Sequence, residues 1–184
     1  LHPKQTDCFV QDATAGVYLA PLPPNSHLEI GDLVEVEGVT DPGGFSTMVA
    51  PSRVTKVGMA ELPAPVRVTA ANLVDLAFDG RLVEADGIVR FLTVNEFVAS
   101  LHVFLPDGAA MVLYDRVPGE VIGDSLIGAR IRVRGVSAPA HNKERQVVIA
   151  RIHGGSYYRH EVLTKQVLDW QALITTPIAQ VRRE

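Results

Sequence analysis

The sequence is poor in several things, and each shortage removes a class of answer. It holds one cysteine, Cys8, among 184 residues, so no disulfide within the chain can staple it and a disulfide scaffold is excluded. Basic charge is not in excess. Lys and Arg number 17 against 21 Asp and Glu, a formal net charge of −4, whereas a dedicated nucleic-acid binder ordinarily carries a clear cationic surplus. No apolar run approaches the roughly 20 residues that a membrane-spanning helix needs. Aromatic residues make up only 6%, and Phe91, Phe97, Phe104 and Tyr114 all sit inside apolar runs, where core packing is the expected role of most of them. Catalytic motifs are missing too: there is no Gly-x-Ser-x-Gly, no phosphate-binding glycine loop and no Cys/His pair in one motif. The six histidines show no metal-ligand spacing. Neither a catalytic residue, a metal site nor a cofactor is expected, and no ligand-binding residue can be named.

What the sequence does contain is a repeat. Residues 31–40 read GDLVEVEGVT and residues 128–137 read GARIRVRGVS, 97 positions later. In both, apolar side chains recur at every second position, Val34 and Val36 in one and Ile131 and Val133 in the other, which predicts half-buried strands. Gly38 and Gly135, inside the runs, predict a bulge or sharp bend of the kind that turns a strand around the corner of a small barrel. A proline-rich segment at Leu62–Pro65 reads as a linker. Thr69 to Ala77 predicts a short helix with Thr69 as N-cap and Leu73, Leu76 and Ala77 on one face, placed to wedge between two modules.

The order of elements after this helix is strand, hairpin, loop, strand, strand, which is that of the five-stranded OB barrel. The expected architecture is therefore all-β with minor helix: two tandem OB-fold-like five-stranded barrels, the first lacking its opening strand. The modules are expected at residues 1–58 and 59–156, with 157–184 as an extension. The opening at Leu1, in what reads as the end of a strand, carries the expectation of a piece of a longer polypeptide. A barrel short of one strand leaves an unpaired edge, and three covers are expected for it: upstream residues, the Tyr157–Leu163 stretch, or a second copy forming a homodimer by strand addition.

The charged positions of the repeat strands differ in sign. Glu35 and Glu37 stand in the first copy, Arg130, Arg132 and Arg134 in the second, all on the outward parity. These five are the candidate docking faces; the plainer reading is a solvated outer surface. Glu35 and Glu37 are also placed to face Arg132 and Arg134 across the module junction. Glu84 and Asp86 share a strand face and read as outward, solvated carboxylates. Nucleic-acid binding is the alternative, and it would need Arg90, Arg132 and Arg134. His160-Glu161, four residues before Thr164, is set aside as a phospho-accepting box because Gly154-Gly155 interrupts the approach and Lys165 stands where proline is expected.

The stretches CFVQDATAGVYL at 8–19, GDLVEVEGVT running into DPGGF at 31–45, and the second copy at 128–137 resemble the tandem OB-like repeats in the periplasmic sensor regions of large bacterial membrane-anchored histidine kinases. The resemblance covers nearly the whole chain, and Asp169 to Arg183 looks like the lead-in to a further repeat. It implies a periplasmic input module, non-catalytic by itself, that binds a small ligand or a protein partner and is joined to the remainder of a membrane-anchored kinase.

Overall fold

A computed structural model describes residues 7–115, 124–155 and 160–165. Two sheets carry most of these residues. The first holds β1 (Cys8–Gln11), β2 (Gly16–Leu19), β3 (Asp32–Asp41) and β4 (Met48–Met59), in the order β1-β2-β4-β3. β1 and β2 form a hairpin because Asp12 closes its turn, its Oδ1 accepting from the Thr14 and Ala15 backbone N–H groups at 2.7 and 3.0 Å. β3 and β4 pair antiparallel along their length, and β2 touches β4 in parallel at Leu19 and Val49. The bulge expected at Gly38 is present: the register slips between Glu37 and Gly38, and Pro51, which has no N–H to donate, lies opposite.

The second sheet is built from β5 (Val66–Arg67), β6 (Leu82–Val94), β7 (Val98–Leu105), β8 (Gly108–Asp115), β9 (Arg130–Ser137), β12 (Arg151–Gly155) and β13 (Glu161–Thr164), with a small hairpin of β10 (Ala140–His141) and β11 (Val147–Ile149) to one side. Five of these strands close on themselves as β6-β7-β8-β12-β9 and back to β6, with β8 and β12 parallel and the other pairs antiparallel. That is the OB connectivity. Alternate residues fill the interior: Val83, Val89, Leu101, Val103, Val112, Tyr114, Ile131, Val133 and Ile152 are buried, and each fully buried aliphatic side chain contributes about 1.5–3 kcal/mol.

Superposing the two connectivities strand by strand makes β1, β2, β3 and β4 the equivalents of β7, β8, β9 and β12. The strand order and the parallel contact both agree, so the first unit is the same barrel with no counterpart of β6 among the described residues. Its core is correspondingly thin. Leu19 and Leu22 are buried, while Val34 and Val36 on β3 remain half-exposed.

Several expectations are corrected. The helix from Thr69 is two 3-10 turns, Asn72–Val74 and Leu76–Phe78, separated by an extended Asp75 whose carboxylate accepts from the Ala77 N–H at 2.9 Å. Competition from this short polar side chain ends the first turn. Leu73 is completely buried but in the closed barrel's own core, and Leu76 is 58% exposed, so the segment plugs one barrel and is no wedge between two. In β6 the register slips between Val89 and Phe91. Gly135 shows close approach, since a Cβ there would overlap the His153 carbonyl on β12. The strand at the end of the Tyr157–Leu163 stretch goes to the closed barrel, where Val162 pairs with Ile131, and does not cover the open edge. Residues 166–184, including the lead-in expected from Asp169, lie outside the described residues.

Candidate functional site

The charged row on the closed barrel is bound up with itself. β6 and β9 are antiparallel neighbours, with Glu84 opposite Arg134 and Asp86 opposite Arg132, so outward side chains of opposite sign meet directly. Arg132 grips Asp86 with two bonds, Nε to Oδ1 at 2.8 Å and Nη2 to Oδ2 at 3.1 Å. Arg134 Nε donates to Glu84 Oε2 at 2.6 Å. Arg67, from β5, bridges both carboxylates at 2.5 Å to Asp86 and 3.3 Å to Glu84, and Arg130 approaches Asp86 at 3.8 Å. The carboxylates are therefore not the solvated pair the sequence implied: their side chains are only 13% and 9% exposed beneath the guanidinium groups. Hydrogen bonding from Arg132, helped by Arg67, holds the Asp86 carboxyl below its ordinary range, and Asp86 in turn raises Arg132.

Glu35 and Glu37 do not meet these arginines. Both are exposed on β3, and Glu37 is ion-paired with Arg53, its cross-strand neighbour on β4. The salt bridge expected across the junction is replaced by one within each sheet, because cross-strand partners lie nearer than anything on the other unit.

The two units meet through loops and the strand residues beside them. Gly16 and Gly80 pack backbone to backbone: a Cβ on Gly16 would overlap the Gly80 carbonyl, and Gly80 itself sits at φ +72°, where side chains are strained. Gln11 Oε1 accepts from the Leu82 N–H at 2.7 Å, Arg81 donates to the Thr14 carbonyl, the Ser46 hydroxyl bonds Asp79, and Arg145 donates to the Pro42 carbonyl at 2.9 Å. Burial pushes the Asp79 carboxyl up. On the same junction Phe9 faces His153 with ring centroids 6.2 Å apart, and burial drives His153 down to about 4. None of these residues stood out in the sequence. Their partners lie as many as 103 positions away, and a period-two pattern reports which face of a strand is buried, not which distant residue it meets.

Beside this junction is a cavity of about 200 Å³. It opens between β1 and the start of β3 and is lined by Phe9, Val10, Leu28, Ile30, Val34 and Leu62, among others. Asp32 at its rim is ion-paired with Lys56 at 2.6 Å, which holds the carboxyl low. In the closed barrel the equivalent place is filled by the middle of β6, where Ile88 pairs with Arg130 of β9 on one side and Phe104 of β7 on the other.

The aromatic residues also differ from expectation. Tyr114 is buried, but Phe91, Phe97 and Phe104 are more than half exposed: the register slip at Arg90 and the outward parity of Phe104 turn two of them off the core, and Phe97 lies in the turn between β6 and β7. Phe91 lies 5.2 Å from the His102 ring on β7, centroid to centroid, and Arg90 beside it is exposed. Among the described residues no three His, Cys, Asp or Glu side chains gather as a metal site.

No protein-family model matches the sequence, and no curated protein matches it. Among solved structures, the chain is similar to a murine DNA-binding protein determined bound to double-stranded DNA, at 14% identity and a TM-score of 0.37, over 85% of this chain and 84% of that one. A likeness of that score says nothing about what this chain binds.

Proposed function

We propose that the chain is a non-catalytic binding module that serves as the periplasmic input region of a membrane-anchored sensor histidine kinase, receiving a ligand or partner on the N-terminal sheet and passing the change to the closed barrel. The resemblance of the repeat strands supports the class. The observation that carries the reading is the junction: glycine-on-glycine packing and four hydrogen bonds couple an incomplete, thinly packed unit to a complete, well-packed one. Such a joint transmits small displacements, because packed interfaces do not deform continuously. The test is made in the membrane protein that carries this chain. Gly16→Val, which forces the joint apart, should change histidine autophosphorylation several-fold. Unchanged output, or no phosphohistidine at all, would remove the signalling reading.

A second reading is favoured by one surface. Exposed Phe91 and Phe104 with Arg90 form an outer face on β6 and β7, and OB barrels that bind single strands stack bases on such aromatics, at about 1–3 kcal/mol per base. Against it, Arg132 and Arg134 are already held by Asp86 and Glu84. Tight oligo-dT binding, steeply salt-dependent and lost on Phe91→Ala with Phe104→Ala, would make this the better reading.

A further inference from the structure

The closed barrel shows what belongs in the seam of the open one. There, β6 lies between β7 and β9, bonds to both, turns apolar residues into the core and sets Glu84 and Asp86 against the outward arginines of β9. In the open unit the flanking strands are present, as β1 and β3, and each has only one strand neighbour among the described residues. β3 therefore offers a ten-residue edge of backbone N–H and C=O groups, the kind of edge that recruits another strand. The cavity at its start is apolar, and Ile30 and Leu33 beside it are about half exposed. The charge at the matching positions is inverted. Glu35 stands where Arg132 stands in the repeat and Glu37 where Arg134 stands. Glu37 already has Arg53, but among the described residues no cation is bonded to Glu35.

We propose that the seam between β1 and β3 binds an extended protein segment as an antiparallel strand on β3, with alternate apolar residues turned into the cavity and Lys or Arg on the outer face opposite Glu35 and Glu37. The occupant is thus a basic, amphipathic β-segment, the charge-inverted counterpart of β6. Backbone bonds along β3 supply affinity, and the two carboxylates select the charge. The proposal names the partner in the reading above and rests on that reading for its biological use. Strand binding is measurable on the chain alone, so its failure leaves the kinase assay to stand or fall separately.

The probe is an eight-residue peptide with the sequence of Leu82–Val89 carrying Glu84→Lys and Asp86→Lys, titrated into the full chain beside the unmodified acidic peptide. The basic peptide should bind about tenfold more tightly, since each favourable cross-strand pair replaces a like-charge opposition. Amide shifts and exchange protection should appear along β1 and β3 and spare β7 and β8. In a Glu35→Lys, Glu37→Lys variant the preference should reverse, which a merely folded scaffold would not do. Absence of binding by either peptide, equal binding of both, or shifts confined to the closed barrel would overturn the proposal. So would sedimentation showing a dimer whose seam is protected without peptide, because the occupant would then be a second copy.

Discussion

At His153 the structure places a titratable ring in the contact between the two units, against Phe9 and next to Arg151. Desolvation first, and then the Arg151 charge, hold its pKa near 4 against an ordinary 6.5, with Asp7 opposing weakly. The folded protein therefore binds fewer protons than the unfolded chain between those values. Stability must fall as the pH drops through that window and level off below about 4, with a total of roughly 3 kcal/mol for a shift of this size. Urea unfolding at pH 7, 5.5 and 4.5 should show this loss in the wild type, on top of a shared carboxylate slope. His153→Gln, which cannot titrate, should flatten the difference between pH 6.5 and 4.5. Parallel curves for the two proteins would show that the ring is solvated and the contact with Phe9 open. Cys8, which lines the cavity beside the junction, is pushed up to about 11 by burial, so its thiol stays protonated and inert across the same range.

The segment after the linker shows what an element's sequence can and cannot say. Its period placed Leu73 and Leu76 on one helical face, but the chain makes two 3-10 turns, and the extended Asp75 between them turns the two leucines apart. The first turn is held from outside. Thr69 and Asn72 bond each other's backbone N–H groups at 3.0 and 3.3 Å, and Asp107, from the β7–β8 hairpin, accepts from Ala70 and Ala71 at 2.9 and 3.1 Å. Leu73→Ala should therefore destabilise the barrel by about 2–5 kcal/mol, whereas Leu76→Ala should stay within about 0.5 kcal/mol. Equal losses in denaturant titrations would restore the single helix. The strands were more legible than this segment, because Val34/Val36 and Ile131/Val133 alternate and the repeat fixed where the second barrel must run. The site was less so. The Glu/Arg contrast was visible, but its partners were not, since Glu84 and Asp86 reach Arg132, and Arg67 reaches those carboxylates, only once β5, β6 and β9 lie side by side.

For the whole molecule the question is whether the two units melt as one. The closed barrel can stand alone, with a continuous core from β6 to β12. In the N-terminal unit only Leu19, Leu22 and Pro51 are buried among the described residues, and an isolated four-stranded sheet with so little covered apolar surface falls short of the entropy cost of ordering it. Its order must then come from docking, and the Gly16–Gly80 contact is where docking is least tolerant, because backbone meets backbone with no side chain free to yield. Gly16→Val should separate the surfaces and carry with it the Gln11 bond to Leu82 and the Arg81 bond to Thr14. Calorimetry should then resolve one wild-type transition into two. The lower would be accompanied by lost exchange protection in β3 and β4, and the upper would retain protection in β7 and β8. An occupied seam should reverse this, since a strand on β3 adds core and hydrogen bonds to the weak unit and so raises the lower transition selectively. If the variant instead melts in one unshifted transition, the N-terminal sheet holds itself together, and coupling through the glycine contact cannot be what relates the seam to the barrel.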